Sequence, residues 1–229
     1  PALLDWTAFR RLLRVNRDIF LRSCSLEAAF LTFTAVGSRQ GEVILAANAI
    51  LLNFQLLAAY GLDGFAHAAE AMAGRAVGAG DRASFRAAVR AGLYWSAGLA
   101  IALSALFLAG GTTGIRIMTG LEEVRAAAIA FLPYMVLSPL VSVWAFLFDG
   151  VFIGATRTAE MRNGMALALL LFWALAFALL PVLGNHGLWL AFLALMAARG
   201  LWLGLVFLRI ERGAGFVAAP GPGLGGKTA

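Results

Sequence analysis

The sequence predicts an all-α, polytopic membrane protein with six transmembrane helices, and three observations lead there. The chain of 229 residues is 62% hydrophobic and only 13% charged, with a mean hydropathy of +0.86. Ordinary soluble domains are about 25% charged, so a soluble chain of this make-up would lack the polar groups to cover itself. Second, the charges gather at the ends of six long apolar runs. That placement speaks against nucleic acid as the reason for the net charge of +6. Third, the basic residues divide by side. Fourteen lie on the N-terminal arm, the second and fourth connections and the C-terminus, while Arg39, Arg116 and Arg125 alone lie on the other connections. The positive-inside rule then puts both ends in the cytoplasm, which requires an even number of spans.

Residues 1–18 read as an amphipathic interfacial linker. Leu3, Leu4, Trp6, Phe9, Leu12 and Leu13 alternate with Arg10, Arg11, Arg14 and Arg17, a pattern suited to an anionic bilayer surface. A six-helix lobe over 19–209 follows, with spans at about 19–38, 43–74, 91–108, 124–148, 164–183 and 188–208. In the first span Arg22 is expected to reach back to Asp18 at i−4. The second is too long for one simple crossing, and Gly61 and Gly64 around Asp63 suggest a bend. The arginines between Arg75 and Arg90 mark a surface loop. The Gly110–Gly114 run reads as a turn, and Pro133 and Pro139 as kinks in the fourth span. Residues 210–229, rich in Gly and Pro, are expected to be a flexible cytoplasmic tail. The chain begins at Pro1, without Met or a signal-like segment, so it reads as part of a longer polypeptide. The lone Cys24 allows no intramolecular disulfide.

The second stretch carries the most informative polar pattern. Asn48, Gln55, Asp63 and Glu70 are spaced 7, 8 and 7 apart, which puts them within an arc of roughly 80° on one helix face, with His67 at its margin. Ionisable groups inside a hydrophobic span are costly unless they face a partner or a wet cavity. Glu27, Asp63, Asp149 and Arg199 also lie at similar depths from the arginine-rich side. Three acids and one arginine in one slab leave excess negative charge, and an acid that binds and releases a proton there would suit proton-coupled transport. The simpler reading is a structural ion pair plus interfacial carboxylates. Arg199 is expected to pair with Asp63, followed in order by Glu27 and Asp149. His67, one turn from Asp63, could relay a proton or could serve only in packing. No zinc spacing, nucleophile elbow or phosphate-cradling glycine loop is present. The expectation is therefore a non-enzyme with no catalytic residues, no metal site and no cofactor other than a coupling ion.

Five stretches carry a family resemblance: NRDIFLR (16–22), ILAANAILLNF (44–54), LDGFAHAAEAMAGRAVGAGD (62–81), FDGVFIGATRTAEMRN (148–163) and LGNHGLWLAF (183–192). Together and in order they resemble the C-terminal half of the multidrug and toxic compound extrusion (MATE) transporters, in their DinF-like branch. The resemblance implies one lobe, helices seven to twelve, of a twelve-helix antiporter of the inner membrane. Its implied partners are the N-terminal six-helix lobe of the same polypeptide, the lipid bilayer, and cationic or amphipathic small molecules expelled against H+ or Na+. It also implies a proton-coupling aspartate on the family's first helix, outside this chain, and, in sodium-coupled members, a cation site using acids on the seventh and tenth helices. Glu27 and Asp149 lie on the corresponding spans. The alternative is a self-contained six-helix intramembrane enzyme or a lipid-handling, flippase-like protein.

Overall fold

A computed structural model of the chain describes residues 6–213 and 215–217. Six helices follow one another with short connections: α1 (Trp6–Ser38), α2 (Glu42–Gly78), α3 (Arg82–Met118), α4 (Glu122–Gly154), α5 (Thr158–Leu183) and α6 (Asn185–Arg212). All six contain stretches long and apolar enough to cross a membrane, that of α1 being Leu12–Ser38. The helices are longer than the predicted spans. The arm expected over 1–18 joins the first span in a single helix from Trp6 onward, and its first five residues lie outside the described ones.

α2 runs as one continuous helix through Gly61 and Gly64, so the chain does not break there. At 1.5 Å per residue its 37 residues span on the order of 55 Å, well beyond the ~30 Å of hydrocarbon that one upright crossing needs. Similarly, α3 passes through the glycine-threonine run expected to turn at 110–114. The reason is packing: a side chain on Gly111 would lie within 3.0 Å of Leu132, and one on Gly114 would lie 2.9 Å from Phe54. Those glycines serve close helix approach, and the chain turns at Thr119–Leu121 instead. The predicted arginine loop shrinks to Ala79–Asp81. There Asp81 caps α3, accepting bonds from the Ser84 amide (3.0 Å) and hydroxyl (2.6 Å). These bonds hold the Asp81 carboxyl below the usual carboxylate range. The cap is therefore intact at neutral pH and is lost only as pH falls through that lowered value. It cannot be a source of pH dependence near neutrality.

α4 is the hub, packed against α2, α3 and α6, while α5 bridges α1 and α6. The α2–α4 seam depends on small residues. Any side chain on Gly150 would run into the Ala66 carbonyl, and one on Gly154 into the Glu70 carbonyl and the Gly74 nitrogen. Gly150 and Gly154 thus form a small-xxx-small pair facing Ala66, Glu70 and Gly74. One apolar cluster, centred on Phe33, Leu51, Phe172, Trp189 and Phe192, fills the bundle toward the α1–α2 turn. A second, with Phe85, Leu147, Phe152 and Leu203, fills the arginine-rich end. Phe216 and Val217 join this second cluster, with the Phe216 ring stacked 5.1 Å from Phe85 and 5.2 Å from Phe207. This part of the expected flexible tail is therefore docked; residues 214 and 218–229 lie outside the described ones.

The arginine-rich end is laced with ions. Asp18, nearly fully buried, accepts from Arg162 of α5 at 2.6 Å and from its neighbour Arg17 at 2.9 Å. It is thus a clasp between α1 and α5, and the expected Asp18–Arg22 pair does not form.

Candidate functional site

Three helices meet at one carboxylate. Asp149 on α4 points inward because Gly150 draws that turn tightly onto α2, and the acid is 5% exposed. Its Oδ2 accepts from Arg199 Nη2 of α6 at 2.7 Å and from Arg22 Nη2 of α1. Arg199, 3% exposed, also contacts Met196 Sδ at 3.4 Å and lies 6.0 Å from the Phe146 ring centre. The expected ranking of Arg199's partners is thereby reversed: Asp149 holds it, while Asp63 and Glu27 do not. Arg22 turns into the bundle instead of snorkelling outward. Two cations and one anion leave the triad with an excess of one positive charge.

Beside the triad lies a cavity of about 530 Å³ between α1, α2, α4 and α6. Leu26, Phe30, Leu52, Leu56 and Phe146 make it mostly apolar, while Glu27, Asp63, Gln55, Asn53 and Arg199 supply its polar groups. Gln55 is fixed, its Oε1 accepting from the Ser138 hydroxyl, whose own backbone carbonyl accepts from Ser142 at 2.7 Å. Asp63 and Glu27 differ. Neither carboxylate has a hydrogen bond or ion pair among the described residues. Asp63 is half-buried and feels the charges of His67, Arg22, Asp149 and Arg199. The slab thus holds three acids and two arginines, with one acid fully committed and two open to the cavity.

The remaining members of the α2 stripe go elsewhere. Asn48 exchanges two 2.8 Å bonds with Asn185 and accepts from Trp189 Nε1 at 3.0 Å, a buried amide lock between the starts of α2 and α6. Gln40 adds a 3.4 Å bond to Asn185. His67 and Glu70 face each other at 3.4 Å in a separate shallow recess with Gly74 and Arg75, away from the cavity. His67 thus lines that recess and not the cavity, although it lies one turn from Asp63 on the same helix and its charge acts on that carboxylate. Two features of the site are not apparent from residue depth alone. The inward turn of Arg22 is not written in its depth, which does not say which way a long side chain points. The Gly150-xxx-Gly154 pair was legible as a spacing, and its role as the α4 contact face could have been read from it.

The family model MatE matches residues 19–182, most of the chain and five of its six helices. The chain belongs to the MatE family. Over 183 residues it is 46% identical to DNA damage-inducible protein F of Escherichia coli (strain K12), covering 80% of this chain and 40% of that protein. Among solved structures, a multidrug resistance MATE family transporter of the MOP superfamily, in an outward-facing conformation, superposes with a TM-score of 0.79. It is 18% identical over 92% of this chain and 47% of its own. A MATE structure in a bent conformation gives 0.80 at 17% identity, covering 95% of this chain and 48% of that one. This MatE chain thus spans somewhat less than half the length of these relatives. It is one six-helix lobe of their fold, and it is a multi-pass membrane protein.

Proposed function

We propose that this MatE lobe is the C-terminal half of a proton-coupled efflux antiporter that exports cationic or amphipathic compounds, with an N-terminal lobe of the same polypeptide across a central cleft. The observation that carries the reading is the cavity: apolar walls suited to a hydrophobic body, with two uncommitted carboxylates, Asp63 and Glu27, facing it. Such acids can bind either a proton or a cationic substrate, and exchange between the two is what antiport needs. The triad favours the proton over sodium. A hard cation requires several oxygen ligands, and the Asp149 carboxylate is already shared by two guanidinium groups. Reconstituting the full-length polypeptide in liposomes tests this. An inward proton gradient should drive efflux of an amphipathic cation, and replacing sodium with potassium should leave the rate unchanged. Efflux driven by a sodium gradient alone would overturn the proton reading.

The arginine-rich end lies in the cytoplasm of an inner-membrane protein on the same reading, as the fourteen-to-three division of basic residues supports. In a Cys24→Ser background, Gly120→Cys should react with an impermeant thiol reagent added outside intact cells. Ala83→Cys should react only after permeabilisation. The opposite pattern would invert the orientation.

A further inference from the structure

On the far side of the α4–α6 pair from the cavity runs a second, purely apolar furrow of about 600 Å³. Leu140, Trp144 and Phe148 of α4 form one wall; Leu201, Leu205 and Leu208 of α6 form the other, and Leu93 of α3 joins the lining. The furrow exists because Gly200 and Gly204 bring α6 hard against α4. A side chain on Gly200 would come within 3.0 Å of Trp144 Cβ, and one on Gly204 within 3.4 Å of the Phe148 ring. The same glycines leave no side chain to fill the gap beside the contact. From Ala197 to Leu208 the furrow extends roughly 16 Å along α6, about the depth of one leaflet in a hydrocarbon core ~30 Å thick.

Its Leu208 end is strongly basic. The α6 stripe Leu201, Leu205, Leu208 continues at helical spacing into Arg212, and the α3 residue Leu93 lies one turn from Arg90. The two helix ends are held together there, because Glu211 accepts from Arg86 at 2.9 Å and lies 3.7 Å from Arg82. That single acid is consumed by Arg82 and Arg86. Arg90 and Arg212 are exposed and have no ion-pair partner among the described residues. An apolar channel about one leaflet deep, with two unpaired guanidinium groups on the turns adjoining its α3 and α6 walls, is complementary to one ligand chemistry: an acyl chain joined to an anionic phosphate. We infer that the α3–α4–α6 furrow is a binding site for an anionic phospholipid of the arginine-side leaflet, with its phosphate between Arg90 and Arg212 and an acyl chain along Trp144. Neither the cavity nor its carboxylates take part.

Trp144 reports on the site directly. The full-length polypeptide would be placed in zwitterionic phosphatidylcholine nanodiscs doped with phosphatidylglycerol carrying bromine on its acyl chains, and tryptophan fluorescence recorded. Quenching should saturate at low phosphatidylglycerol content, and most of the saturable part should vanish in Trp144→Phe. Arg90→Ala combined with Arg212→Ala should raise the half-saturating phosphatidylglycerol fraction by at least about tenfold. Both arginines are exposed, so folding is not at risk, and a Leu205→Phe variant, which crowds the furrow without adding a fluorophore, supplies an independent block. Equal quenching by brominated phosphatidylcholine, or quenching indifferent to the arginines, would reduce the furrow to ordinary lipid contact and overturn the site. No Trp144-dependent quenching at all would show the furrow covered by protein, and would overturn it equally.

Discussion

Asp149→Asn should be the most damaging substitution among the charged residues of the site, lowering stability by roughly 3–5 kcal/mol. The amide is nearly the same size, so the loss is not one of packing. Removing the charge leaves Arg199, 3% exposed, and Arg22 facing each other around a neutral group, and a buried guanidinium without a counter-charge is costly in a membrane interior. The triad makes unequal predictions for its members. Arg199→Leu should cost less, because Asp149 keeps Arg22. Adding Arg199→Leu to Asp149→Asn should recover part of the loss, a coupling of about 1–3 kcal/mol between the two sites. Thermal unfolding of the purified full-length protein, monitored in one detergent across the four variants, supplies the cycle. Additive losses would remove the triad from the account of what holds α1, α4 and α6 together.

The architecture was legible because it rests on quantities a sequence carries: apolar run length, charge placement and the sidedness of arginine. Six spans follow from those alone. Helix ends were less legible, since Gly111 and Gly114 read as turn formers until Leu132 and Phe54 are seen packed against them. The candidate site was half legible. Depth along each span put Glu27, Asp63, Asp149 and Arg199 in one slab, but depth says nothing about which helices are neighbours or how each is rotated. α6 packs on α4, so Arg199 meets Asp149 although Asp63 matched it better in depth. For the same reason the helical stripe of α2 could not reveal its division. Asn48 turns to Asn185, Gln55 to Ser138 and Asp63 to the cavity, while Glu70 stays with His67.

Asp63 carries the functional claim, and Asp63→Asn should separate it from Asp149. With no partner among the described residues to lose, the asparagine variant should insert and fold with stability within about 1 kcal/mol of the parent, since a cavity-facing amide is easier to accommodate than a carboxylate. Transport should nevertheless fall at least about tenfold, the scale expected when a group that must exchange its proton is removed, and the residual rate should vary little with pH. Glu27→Gln should act in the same direction. Glu70→Gln, in its separate recess with His67, should leave transport near normal. The most direct test is to titrate the full-length protein with a cationic substrate in weakly buffered solution and measure the protons released. Substrate binding should release protons from the parent protein, and the release should be lost in Asp63→Asn while the variant remains folded. Unchanged proton release from Asp63→Asn would contradict the assignment of coupling to this cavity.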